Sequence, residues 1–291
     1  MIKGVNTDRK VDTDTSGLIV DAQYFIHSFS IEFASNDSSL KTYGDVGEYL
    51  FAQLLHLGKY PVVYFVTETY RENSVKKFER LERGSSNIVA GGVSLGSLRP
   101  MGTTWNAAMH NNDFKATLQM LILEQFKSNS HALSLKDRHL YYTLDNECFL
   151  LECSTSNETI CNLRNDLYCN HEEPDTKVIY YSSKMPPGID TVVIKISDTD
   201  VVVNAVHHSP SVKPEMLILW GTKENRKVFS ARDIRDKIGK DMAKSLVGLH
   251  VFTGNGKVSA ISGFGKINPY KKVAKSEFLV KTFTELGGEG K

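Results

Sequence analysis

Apolar positions along this chain fall in short β-branched runs separated by stretches in which they recur every three or four residues. From Thr191 to His208, the residues Val192, Val193, Ile194 and Ile196, then Val201, Val202 and Val203, have the composition of a strand buried on both faces. Asp198 and Asp200 stand where that strand is expected to end. Gly17 to Asp21 has the same character, a short buried strand closing on a carboxylate, and Tyr24, Phe25, Phe29 and Phe33 follow at helical spacing. Asp45 to Leu57 predicts a helix, Tyr60 to Val66 a second buried strand, and Asn112 to Ser128 an amphipathic helix. His139 to Leu144 and Glu147 to Leu151 predict a hairpin turning at Asp145-Asn146.

The second half repeats the alternation. Pro174 opens a helix, where its missing N–H costs nothing, and places Glu173 and Asp175 in a first turn that tolerates negative charge. Met216 to Trp220 is a strand, Ser230 to Ile238 a helix with a serine cap, and Met242 to Phe252 a further helix. Alternating strands and helices predict an α/β fold built on a parallel sheet with right-handed crossovers.

Composition adds bounds rather than direction. At 291 residues, 41% apolar and 24% charged, the chain can bury a sizeable core, and a formal charge of +1 requires any basic surface to be local. No apolar run approaches the ~18 residues of a membrane span. The first residues also lack the apolar core of a secretory signal, so an intracellular, membrane-free protein is expected. Cys148, Cys153, Cys161 and Cys169 miss the paired spacing of a zinc site and read as reduced thiols. Ser85 to Thr104 is a Gly- and Ser-rich loop without the lysine-Ser/Thr pair of a phosphate loop.

The chemistry resides in the carboxylates and the lysines. Two aspartates at one strand end raise each other's pKa unless a positive charge or hydrogen bonds intervene, a requirement that a divalent metal meets. Asp-x-Asp also serves aspartyl-phosphate chemistry, but that chemistry places it on the first strand. Lys76, Lys77, Arg80 and Arg83 share one helix face, either as a solvated face balanced by Glu72, Glu79 and Glu82 or as phosphate contacts. A glycine turn at Gly263 and Gly265, followed by Lys266, Lys271 and Lys272, lets backbone N–H groups approach a phosphate.

In order and spacing these elements resemble the flap-endonuclease and xeroderma-G-type branch of the PIN-like nucleases. In that family a first strand ends in Asp, matched by Asp21; an acid-x-acid pair follows, matched by Glu173 and Asp175; and an Asp-x-Asp closes a later strand, matched by Asp198 and Asp200. Gly263, Gly265 and Lys266 match a Gly-φ-Gly helix–two-turn–helix that grips duplex backbone, and Lys76 to Arg83 lies where the family has its gateway helix. His171 to Thr176, Ser197 to Val203 and His250 to Ser259 are similar to animal proteins reading HEEADT, SPDTDVLVL and HALTGCDTTS.

The resemblance implies one three-layer PIN-like α/β domain over 1–291 with a central, mostly parallel sheet. It makes 84–165 an insertion or arch-like region and 240–291 a helical segment for DNA backbone. It also implies hydrolysis of DNA or RNA phosphodiesters, in branched or duplex-containing substrates, by two Mg²⁺ or Mn²⁺ ions. Asp21, Glu173, Asp175, Asp198 and Asp200 would be both the catalytic and the metal-binding residues, while Lys76, Lys77, Arg80, Arg83, Gly263, Gly265, Lys266, Lys271 and Lys272 would contact nucleic acid. Two departures thin the acidic set: Gly256 and Asn255 replace the family's Asp and Cys, and only Glu68 follows the second strand. They leave a second expectation, a nuclease-like module that binds nucleic acid or protein without cutting.

Overall fold

A computed structural model describes residues 4–70, 93–221, 225–254 and 265–288. The chain divides into two compact units, one of Asp12–Lys184 and one of Met1–Val11 with Met185–Lys291.

In the first unit, β1 (Gly17–Asp21) runs directly into α1 (Ala22–His27), because the Asp21 carboxylate accepts a hydrogen bond from Tyr24 N and caps the helix. The single helix expected through Phe33 is instead two: α1 stops where Ser28 Oγ donates to Phe25 O at 2.7 Å, and α2 (Ser30–Ala34) starts afresh. A serine hydroxyl that bonds its own preceding turn competes with helix continuation. The two pieces still share one aromatic face, with Phe25 edge-on to Phe29 and Phe29 against Phe33.

The helix α3 (Tyr43–Leu55) opens with a reciprocal capping box between Thr42 and Asp45. Backbone N–H bonds from Thr42 and then from Lys41, the nearby Arg99 charge and the Thr42 hydroxyl hold the Asp45 carboxyl below the usual carboxylate range, against the opposing effect of desolvation. A depressed folded pKa means that this contribution is complete above the unfolded value of about 3.9 and is lost as pH falls through the folded one. Asp45→Asn should therefore lower the urea midpoint at pH 6 and converge on the wild-type chain toward pH 2.

Next come β2 (Val62–Val66), α4 (Thr103–Ala108) and α5 (Asn112–Phe126), then β3 (His139–Leu144), β4 (Glu147–Cys153), β5 (Thr159–Leu163) and α6 (Pro174–Ser183). Strand order is β5-β4-β3-β2-β1, parallel from β1 to β3 and antiparallel outward to β5. The expected β3–β4 hairpin is present, with Asp145 at φ 52 as its two-residue turn demands. All four cysteines are free, and burial pushes the Cys148 thiol up to about 12.

The second unit holds β6 (Thr191–Lys195), α7 (Thr199–His208), β7 (Glu215–Trp220), β8 (Lys227–Ser230), α8 (Ala231–Ile238), α9 (Lys240–Phe252), α10 (Ile267–Val273) and α11 (Glu277–Gly287). β6 and β7 are parallel and β8 closes the edge antiparallel. Arg9 ties the N-terminal segment to this unit, reaching both Asp233 oxygens at 2.9 and 2.8 Å and Glu215 at 3.2 Å.

Here the structure corrects one expectation: Val201, Val202 and Val203 belong to helix α7 and not to a strand. Each β-branched residue costs only tenths of a kcal/mol in a helix. The Asp198 cap returns about 1 kcal/mol, and burial of Val201, Val202, Val203, Ala205 and Val206 outweighs the rest.

Packing of α9 against α11 depends on glycine. A Cβ at Gly248 would meet Phe283 O at 2.2 Å and Gly287 N at 2.9 Å. Alanine would gain about 1 kcal/mol of helix propensity. Overpacking against backbone costs ~1–3 kcal/mol and takes the upper end of that range, since backbone atoms cannot swing aside. Gly248→Ala should therefore destabilise by a net ~2 kcal/mol, read as a lowered thermal midpoint and earlier proteolysis of α11.

Candidate functional site

In the first unit the acidic residues gather at one end of the sheet. Asp21 closes β1 and pairs in register with Val66, the last residue of the parallel strand β2. Just past Val66, Thr69 N donates to Glu172 O at 3.1 Å, which brings the start of α6 to the same level as Asp21. Glu173 is the N-cap of α6 rather than part of its first turn, and its side chain makes no capping bond; Asp175 is in the first turn, behind Pro174. Thus Asp21, Glu173 and Asp175 lie at the carboxyl edge of the parallel strands, where α/β sheets hold their ligands. Glu68, two residues past the end of β2, is buried.

A buried lysine that no sequence motif singles out sets this edge. Lys177, on α6 and fully buried, donates through Nζ to Thr67 O at 3.0 Å, Thr69 Oγ1 at 2.7 Å and Asp145 O at 2.7 Å. It joins the helix to the end of β2 and to the β3–β4 turn. The signal was present in the spacing, since Pro174, Lys177, Val178 and Tyr181 recur at the interval of one helix face, and all four are buried.

In the second unit, Asp198 and Asp200 follow β6 at the N-terminus of α7. Asp198 Oδ1 accepts from Asp200 N at 2.8 Å, and the two carboxylates offer oxygens within 4.8 Å of one another. His250, on α9, puts Nε2 2.7 Å from Asp200 Oδ1, while Lys266 Nζ stands 3.2 Å from His250 Nδ1. An ammonium only donates, so Nδ1 accepts and the ring proton sits on Nε2, directed at Asp200. The result is a Lys266, His250, Asp200 chain ending on the acidic pair. The His250 hydrogen bond, with the nearby Lys266 charge, holds the Asp200 carboxyl below its usual range against desolvation.

The remaining basic, glycine and histidine positions are distributed differently. Lys266 immediately precedes α10 and is engaged with His250, whereas Lys271 and Lys272 are exposed on α10 and Gly265 is exposed ahead of it. His207 and His208 sit in the last turn of α7, the far end of that helix from Asp198. Lys76, Lys77, Arg80, Arg83, Gly263, Asn255 and Gly256 lie outside the described residues. The link from His250 to Asp200 spans 50 residues, and no local spacing announces it.

No family model matches the chain, and no curated protein matches it. Among solved structures, flap endonuclease-1 from Methanococcus jannaschii is similar over 99% of this chain and 79% of its own, at 13% identity and a TM-score of 0.50. The catalytic core of Rad2 in complex with a DNA substrate aligns over 93% of this chain and 65% of its own, at 11% identity and a TM-score of 0.48. Among the described residues no helix is long and apolar enough to cross a membrane.

Proposed function

We propose that this chain, which has the flap-endonuclease-type α/β fold, is a metal-dependent nuclease that hydrolyses phosphodiesters of DNA or RNA in branched or duplex-containing substrates. The observation that carries the reading is the Asp198 and Asp200 pair at the head of α7, with oxygens within 4.8 Å of one another. Each unit carries its acidic residues where its parallel strands end. Hard carboxylate oxygens without thiolate partners fit Mg²⁺ or Mn²⁺. By the resemblance, Asp21, Glu173, Asp175, Asp198 and Asp200 are assigned as the catalytic and metal-binding residues. Such ions, when bound, activate a water and stabilise the leaving oxygen.

The chain's own groups do the rest. His250 fixes the orientation of Asp200 as an outer partner of a ligating carboxylate, and Lys266 fixes the tautomer of His250. Lys271, Lys272 and the N–H groups near Gly265 hold phosphate backbone, with 240–291 as the backbone-binding segment. Lys76, Lys77, Arg80, Arg83 and Gly263 are assigned to strand positioning and backbone contact from the sequence pattern.

A second reading, a nuclease-like module that binds without cutting, is favoured by Gly256 in place of the family's Asp and by the His250 contact already made to Asp200. End-labelled flap, hairpin and single-stranded DNA and RNA, incubated with Mn²⁺ or with EDTA, separate the two. Cleavage confined to the metal lanes supports the nuclease; retained binding with no cleavage in any metal supports the module.

A further inference from the structure

Beside the acidic pair, and wholly within the second unit, α7, α8, α9 and α10 enclose a cleft of about 650 Å³. That volume is within the ~300–1,000 Å³ typical of small-ligand sites. Its floor is apolar and buried, formed by Val203, Leu246 and Leu249. Its rim is cationic, with Lys266 and Lys271 exposed on it, and among the described residues no carboxylate lines it. Tyr270 supplies an aromatic ring, and His250 is shared with Asp200.

An apolar floor excludes a bare, fully hydrated anion as the best occupant, because desolvating it there yields nothing in return. The ammonium groups of Lys266 and Lys271 at the mouth repel a cation and favour an anion over a neutral ligand of the same shape. The ligand that satisfies both is an anion carrying a flat or apolar body. We infer that this cleft binds a nucleoside monophosphate unit, its base over the floor beside Tyr270 and its phosphate against Lys266 and Lys271. The preference for a nucleotide over other amphiphilic anions rests on the nuclease reading.

Lys266 would then serve both sites, since the same ammonium that meets the phosphate fixes the tautomer of His250 and so the Asp200 contact. A phosphate on Lys266 is linked to the acidic pair through two hydrogen bonds, Lys266 to His250 and His250 to Asp200. This makes the cleft a subsite for a strand-terminal or unpaired nucleotide next to the reacting phosphodiester.

Calorimetric titration of the full chain in EDTA with deoxyadenosine 5′-monophosphate, deoxyadenosine and inorganic phosphate tests this. Saturable binding of the nucleotide is expected, with the nucleoside and phosphate each weaker by about tenfold or more. Lys271→Met, an exposed substitution, should weaken the nucleotide by about tenfold while leaving the circular dichroism unchanged. Tyr270→Ala should weaken the nucleotide and leave phosphate alone. The proposal is overturned by no saturation in the millimolar range, by phosphate binding as tightly as the nucleotide, or by unchanged affinity in both variants. Since EDTA removes metal-dependent cleavage from the readout, the two readings fail separately. A chain that cuts with Mn²⁺ but takes no nucleotide loses only the subsite, and one that takes the nucleotide but never cuts loses only the nuclease.

Discussion

Changing both Asp198 and Asp200 to asparagine is expected to reduce Mn²⁺-dependent cleavage by about three orders of magnitude or more, ~4 kcal/mol in the barrier. The substitution removes two negative charges from the head of α7 but leaves the local geometry in place. Asparagine caps helices about as well as aspartate, so the new amide at position 198 retains an oxygen for the N–H of residue 200, and helix stability should change by less than ~0.5 kcal/mol. At position 200 the amide oxygen still accepts from His250. What is lost is the charge that binds a hard cation, so binding of Mn²⁺ by calorimetry should fall together with cleavage. Full activity in a folded double variant would remove these residues from the mechanism. Activity lost together with the near-ultraviolet dichroism would point to a fold defect, which His250→Gln, a milder change at the same contact, would distinguish.

The largest stability effect is expected at Lys177. Methionine matches its length and removes the three donors that meet Thr67 O, Thr69 Oγ1 and Asp145 O. Burying an ammonium is itself expensive, so its removal returns some free energy. Against that, each acceptor left dry costs ~1–3 kcal/mol; Thr69 Oγ1 and Asp145 O keep each other as partners at 2.8 Å, so the loss is heaviest at Thr67 O and is added to by the charge-assisted bonds given up at the other two. The acceptors win, and Lys177→Met should destabilise the first unit by ~3 kcal/mol, read as a shifted urea midpoint. Because α6 also carries Glu173 and Asp175, cleavage by the surviving folded fraction should fall as well. A midpoint within error of the wild-type chain would mean that the threonine network holds this sheet edge without the lysine.

Much of this site is legible in linear sequence because its physics is local. Asp21 is readable since a β-branched run ending in a carboxylate needs no distant partner to declare itself, and the Asp145-Asn146 turn is readable because two residues fix its geometry. Pro174 marks the start of α6 through its own missing N–H. The valines after Asp200 mislead for a related reason: composition reports burial, and burial alone does not distinguish a strand from a helix. What decided for the helix was a single cap at Asp198 together with the neighbours of α7, which are not adjacent in sequence.

By itself, then, the sequence determined the alternation of strands and helices, the strand-end position of Asp21, the start of α6 at Pro174 and the Asp198 and Asp200 pair, all set by periodicity and short-range capping, whereas the level of Glu173 and Asp175 with Asp21 came from a contact between elements. Only the tertiary structure decided that Lys177 is buried as a clamp, that His250 and Lys266 converge on Asp200, and that an apolar cleft with a cationic rim opens beside them. Those contacts join residues well separated along the chain. Their formation depends on which faces the packed elements bury, and no local pattern of side chains encodes that choice.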